Sequence, residues 1–261
     1  MSVETTVDRA RERVARERTW TAEKRTAIES FREAVADFET GLPGGGRAVG
    51  GPTAVATQSP TGGASVSAVL DAFEKHVGRY SGDHDDRTES VHAAVAEELS
   101  DEVAVSLCGG DSAGVLTPPL KQAILSTATK RLGELAVTVR ALDREADSLS
   151  RAGETMDDVV DWLVEHNPTP LTDLGFDALR ERHEALADHR EALDSLARRR
   201  QETVRSVTGG PEQVGIEHRV LIEYVYADAA ADYPVLATTA RLDDLCADAQ
   251  RTVRRHLALC G

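Results

Sequence analysis

The stretch from Leu120 to Ala152 constrains this chain more than any other. It follows Thr117-Pro118-Pro119 and ends at Gly153. Within it Leu125, Ala128, Leu132, Leu135, Val139, Leu142, Ala146 and Leu149 recur at alternating spacings of three and four, the a/d seam of a helix. A helix over this range is a rod roughly 50 Å long. Such a rod cannot bury its own seam. The rest of the chain, or a second chain, has to cover it.

The remaining segments read as helices of unequal quality. Over 5–40, Val7, Val14, Thr21, Ile28 and Val35 fall seven apart, with Ala10, Glu17, Lys24, Phe31 and Phe38 at the matching positions. That seam is weak in its first half. The helix is therefore expected to be solvated early, docked from about Ile28 onward and stopped at Gly41. Residues 41–64 are rich in Gly, Pro, Ser and Thr and read as a flexible linker. Val66, Val69, Leu70, Phe73 and Val77 then mark a helix, and one further helix is expected from Asp85 or Thr88 through Val95 and Leu99 to Leu107. Thr155 is expected to cap a short helix that ends at Asn167-Pro168-Thr169-Pro170. In the second long helix, Leu179, Leu186, Leu193 and Val204 keep heptad spacing, but His183, Arg190 and Arg200 share the seam. A short helix over 217–231 and a last one from Pro234 to Leu259 complete the pattern.

The implied fold class is all-α: long antiparallel coiled-coil-like helices near 120–152 and 176–208 with shorter helices packed along them. The expected division is an N-terminal helix over 1–40, a linker over 41–64 and a helical domain over 65–261.

Composition narrows the function classes. Aromatics are 4% of the chain, which argues against a compact β-rich enzyme, and a net charge of −15 disfavours nucleic acid and anionic membrane as partners. Lys24, Lys75, Lys121 and Lys130 are the only lysines. An acidic, Lys-poor, Ala-rich chain suits concentrated salt, where a Debye length of about 3 Å at 1 M screens surface self-repulsion. An ordinary acidic protein from a high-GC genome is the alternative. Cys108, Cys246 and Cys260 are too scattered for a disulfide framework and read as reduced thiols. With no signal-peptide core and no run of roughly 20 apolar residues, a cytoplasmic location without a membrane span is expected.

Several motifs invite chemistry and fall short of it. Gly110-Asp111-Ser112-Ala113-Gly114 matches G-x-S-x-G, but that motif needs a strand before it and a helix directly after it. Here Thr117-Pro118-Pro119 follows, so a loop is expected, and a hydrolase centred on Ser112 is the least favoured reading. Gly44-Gly45-Gly46 and Gly50-Gly51 lack the Gly-Lys-Ser/Thr of a phosphate loop. Asp83-His84-Asp85-Asp86 with His92 fits neither an EF-hand nor a zinc spacing. His183 and His189 lie about 120° apart around a helix and form no ligand pair. Arg9, Arg11, Arg13, Arg16, Arg18, Lys24 and Arg25, with the cluster Arg198-Arg199-Arg200, suggest either a docking helix or charges paired with neighbouring helices. Pairing is the preferred reading. No catalytic, cofactor-binding or metal-binding residue is assigned.

Thr117-Pro118-Pro119-Leu120-Lys121, Leu142-Asp143-Arg144-Glu145-Ala146, Phe176-Asp177-Ala178-Leu179-Arg180-Glu181-Arg182-His183 and Tyr233-Pro234-Val235-Leu236 resemble an uncharacterised haloarchaeal family of helical proteins. The resemblance implies a haloarchaeal source and a single helical unit, and carries no activity or catalytic residue. The expected function is a non-catalytic cytosolic interaction or scaffold protein, with a protein partner or self-association. A regulatory module that reaches nucleic acid or an acidic partner through the basic N-terminal helix is the alternative.

Overall fold

The structure, a computed structural model, describes residues 6–41, 63–80, 87–109, 114–208, 216–227, 229 and 231–260. Among these it has eight α-helices: α1 (Thr6–Asp37), α2 (Val66–His76), α3 (Arg87–Glu98), α4 (Asp101–Cys108), α5 (Pro118–His166), α6 (Phe176–Arg205), α7 (His218–Val225) and α8 (Pro234–Cys260). The all-α class expected from the periodicity is the class observed. The only extended pairing among the named elements is a two-residue antiparallel ladder, β1 (Val207–Thr208) with β2 (Ile216–Glu217).

The chain forms two compact units, and the cut does not fall where composition suggests. Residues 20–136 make a contiguous unit, while 1–19 join 137–261 in a discontinuous one. The expected separation of 1–40 from 65–261 does not hold, because the first half of α1 is not solvated: Val7, Ala10 and Val14 are buried. They lie in one core with Leu142, Leu149, Leu186 and Leu221. Burying a Val side chain contributes about 1.5–3 kcal/mol and the Ala methyl roughly 0.8 kcal/mol, which holds this stretch of α1 against the core despite the polar residues between them. The linker expected over 41–64 lies outside the described residues except at its two ends.

In the contiguous unit, Ile28, Phe31 and Val35 of α1 share a core with Val69 and Phe73 of α2, Val95 of α3, Leu107 of α4 and Leu135 of α5. Phe31 meets Phe73 edge to face at 5.4 Å. Three connecting segments are laced by backbone hydrogen bonds: Ala64 to the Glu39 carbonyl (2.7 Å), Leu116 to Ala64 (2.8 Å) and Gly41 to Leu116 (3.0 Å). Gly41 and Gly63 approach so closely that a Cβ on either would run into backbone or Val115. Lys121 Nζ donates to the carbonyls of Ala36 and Phe38, both at 2.7 Å, and so satisfies the orphaned end of α1.

Two helix boundaries differ from expectation for local reasons. The helix expected from 85–88 to 107 breaks into α3 and α4, because Ser100 accepts from Val103 N at 3.3 Å and starts a new helix. Conversely, α5 runs through Gly153 to His166 without a stop. Thr155 caps nothing; its hydroxyl donates back to the Arg151 carbonyl at 3.2 Å. A Cβ at Gly153 would meet the guanidinium of Arg11, whose Nη2 donates to the Ser150 carbonyl at 3.0 Å, so any larger residue would have to move the end of that side chain.

Within the discontinuous unit α5 and α6 run in opposite directions: Glu145 meets Arg200, and Trp162 meets His189 two dozen ångströms further along. The α6 and α8 helices are also antiparallel, tied by Arg190 Nε to Asp243 (2.9 Å) and Gln250 Nε2 to the His183 carbonyl (3.3 Å).

Candidate functional site

The most concentrated chemistry of the discontinuous unit is buried around Glu145. This residue sits three after Leu142 and four before Leu149 on α5, on the side facing the core, and is fully enclosed. Arg200 of α6 grips both its oxygens in a planar fork, Nη1 to Oε2 and Nη2 to Oε1, each at 2.7 Å. The α7 helix supplies the rest from its two ends. His218 Nε2 lies 2.8 Å from Oε2, and Tyr226 OH donates to Oε1 at 2.7 Å. Arg200 Nη1 also donates to Ser148 Oγ at 3.0 Å. The β1–β2 ladder and the His218 N–H, which donates to the Ser206 carbonyl at 2.9 Å, hold α7 in place.

Each oxygen of Glu145 thus has two partners. Burial by itself raises the pKa of a carboxyl. Here hydrogen bonds from His218 and Arg200, the Arg200 charge and the Tyr226 hydroxyl outweigh burial and hold Glu145 down to about 2. Tyr226 moves the other way: burial and the adjacent carboxylate push its phenol well above the ordinary value. His218 Nδ1 and Arg200 Nε are buried without a partner.

The contiguous unit has a buried carboxylate of its own. Glu98 at the end of α3 is fully enclosed, and pairs with Lys24 of α1 and with Arg131 of α5, whose Nε and Nη2 both lie 3.2 Å from Oε2. Lys24 also sits 4.8 Å over the ring of Trp20. Arg131 keeps a second partner at the rim, Glu134 at 3.2 Å.

An open groove of about 760 Å³ runs between α4 and the start of α5. Three of its hydroxyls are engaged with helix backbone. Ser100 caps α4, Ser106 donates to the Glu102 carbonyl at 2.8 Å, and Thr127 donates to the Ala123 carbonyl.

The residues singled out from the sequence disperse. Ser112, the Asp83–Asp86 turn and the Gly44–Gly46 and Gly50–Gly51 runs lie outside the described residues. His183 contributes its main-chain carbonyl to Gln250, and the His189 ring tilts against Trp162 at 5.1 Å. Cys108 and Cys246 are free thiols, both pushed up by burial. Three basic residues of α1 are engaged within the protein: Arg18 pairs with Asp143, Arg11 with Asp8 and the Ser150 carbonyl, and Lys24 with Glu98. Arg200 is no part of an exposed basic cluster; Arg198 is, and pairs with Asp194 at 2.7 Å. No group of three potential metal ligands occurs among the described residues.

Sequence reasoning flagged Arg200 as a polar intruder in a seam and missed its partners. The available signal was a charge at a core position on each of two helices, Glu145 between Leu142 and Leu149, and Arg200 seven after Leu193.

Fold and interior together define a class: an all-α protein in which each of two units encloses a carboxylate clamped by cations from other helices. The chain belongs to the family described as Domain of unknown function (DUF7260), whose model matches residues 5–250. No curated protein and no solved structure matches it.

Proposed function

We propose that this chain is a non-catalytic, cytosolic interaction protein built for concentrated salt, each unit fixed in one arrangement by its buried carboxylate. The observation that carries this reading is the state of Glu145. A carboxylate with four donors on its two oxygens, held near 2, has no lone pair or proton to trade at neutral pH. Such a group specifies geometry.

An outward-facing apolar set supports the interaction role. Val160 and Val164, one turn apart on α5, and Phe176 at the start of α6 flank the α5–α6 reversal, and Val164 and Phe176 are 66% and 52% exposed. Val160 and Val164 make one exposed apolar pair on a face of α5, of the kind an association surface uses. The acidic, Lys-poor composition supports a halophilic, haloarchaeal setting. No helix among the described residues is long and apolar enough to cross a membrane, which accords with a cytosolic location.

Light scattering on the purified chain in multi-molar KCl, followed by capture of interacting proteins, tests the reading. The expected result is a defined dimer or a stoichiometric complex that Val164→Asp with Phe176→Asp breaks without lowering the melting temperature. A monomer whose captured set is unchanged by those substitutions contradicts it.

A further inference from the structure

We infer that a cavity of about 240 Å³ beneath the α5–α6 reversal binds a small monocarboxylate with an apolar body. This goes beyond the interaction role and concerns a different surface from Val164 and Phe176. The cavity lies within the discontinuous unit. Its lining mixes Trp162, His166 and Asn167 from α5 and the turn after it and Arg182 from α6 with the apolar Leu186 of α6 and Val253 of α8.

Charge selects the ligand class. The chain has 45 acidic residues in 261, yet the lining contains Arg182 and His166 and no Asp or Glu. Four arginines of α6 face carboxylates, Arg180 with Glu184, Arg190 with Asp243, Arg198 with Asp194 and Arg200 with Glu145; of the other three, Arg182 is the one that lines this space. Arg182 has no ion pair among the described residues. Among the described residues its side chain makes one long hydrogen bond, Nη1 to the Thr169 carbonyl at 3.4 Å. A half-buried guanidinium with no carboxylate on its fork matches a planar carboxylate, which it can take through two parallel N–H donors once the long bond to Thr169 is given up.

The aromatic wall is set before any ligand arrives. His166 stacks on Trp162 with ring centroids 4.3 Å apart and an interplanar angle of 17°. Its Nδ1 is 2.8 Å from the Trp162 carbonyl, which fixes the ring and leaves Nε2 uncommitted. The ligand's carboxylate sits on Arg182, and its body lies between the indole and the Leu186–Val253 side.

The test uses the full chain in the salt that keeps it folded. Trp20 and Trp162 are its only tryptophans, so Trp20→Phe leaves Trp162 as the sole indole reporter. Benzoate, phenylacetate and hexanoate are titrated against its fluorescence, beside benzamide as the neutral isostere of benzoate. The expected result is a saturable response to at least one acid with Kd at or below about 1 mM. Benzamide should bind at least tenfold more weakly than benzoate, and Arg182→Met should lose at least tenfold of the acid affinity. If Arg182→Met fails to fold, the acid–amide ratio in the parent decides alone. No saturable response to any of the three acids, or equal binding of benzoate and benzamide, would overturn the inference.

Discussion

Glu145 and Glu98 are both enclosed carboxylates in helical cores, yet they are held differently. Glu145 is met by a planar fork, an imidazole and a phenol, with Arg200 as buried as Glu145 itself. Glu98 is met by Lys24, almost fully buried, and by Arg131, whose side chain is 25% exposed and shared with Glu134. The first cluster is sealed and draws on α5, α6 and α7; the second has an outlet to water through Arg131. A sealed ion pair is costly to break because the survivor is stranded, whereas a cation at a rim can turn to solvent. The clusters also differ in what they tie together. The contiguous unit is one stretch of chain, while the discontinuous unit joins α1 residues to the C-terminal half.

The largest effects should come from the cores around the clusters. Val14→Asp in one unit and Leu135→Asp in the other each replace an enclosed apolar side chain with a charge. Losing the side chain costs about 2–5 kcal/mol and an unpaired buried charge several more, against a typical total of about 5–15. Both variants should lose cooperative thermal melting in high salt. A Val14→Asp protein that melted like its parent would mean that the start of α1 is no part of the discontinuous core.

Next come the carboxylates. Glu145→Ala strands Arg200 and should cost about 3–5 kcal/mol, roughly 6–20 °C in melting temperature. Glu98→Ala leaves Arg131 with Glu134 and strands Lys24, whose flexible chain can turn toward water, and should cost less than Glu145→Ala, about 2–3 kcal/mol. Equal losses in the two variants would erase the distinction between sealed and vented clusters.

The pH dependence sharpens the same contrast. Because the folded value of Glu145, about 2, lies below its ordinary 4.5, the stabilisation is complete above roughly pH 5 and is lost as pH falls toward 2. Over that window it amounts to about 3 kcal/mol. Denaturant midpoints of the parent and Glu145→Gln should differ most at neutral pH and converge near pH 2. A difference independent of pH would show that the Glu145 carboxyl titrates alike in the folded and unfolded chain, and that the clamp does not lower its pKa.

Much of this interior was legible in the sequence, and the illegible part has a common cause. Val7, Val14, Thr21, Ile28 and Val35 fall seven apart and all five are buried, as are Ala128, Leu135, Leu142 and Leu149 on α5. One row of the seam assigned to α5, Leu125, Leu132, Val139 and Ala146, is only partly buried, and the interior is completed by the other flank through Ala141, Glu145, Ser148 and Ala152. Periodicity places a charge outside by default. Glu145 and Lys24 lie inside because partners far along the chain neutralise them, and a local pattern holds no record of Arg200, His218 or Glu98. Gly153 misled for the same reason: the group that fills the space beside it is Arg11, some 140 residues earlier.

The smallest expected effect concerns that glycine. Arg11→Ala removes the group that a Cβ at 153 would meet. Adding Gly153→Ala to it should then raise stability by up to about 1 kcal/mol, the helix-propensity difference. In the parent background the same change displaces Arg11 from the Ser150 carbonyl and should gain little. Equal gains in both backgrounds, read from melting temperatures, would show that Arg11 does not set the residue at 153.

The most direct test of the sealed clamp is a double-mutant cycle on Glu145 and Arg200, read as unfolding free energy at neutral pH in high salt. Glu145→Leu and Arg200→Met should each be strongly destabilising, because each strands a buried charge. The double variant should be more stable than either single variant, with a coupling of at least about 2 kcal/mol. Additive losses in the double variant would contradict a clamp, and would show that the two side chains stabilise the fold independently.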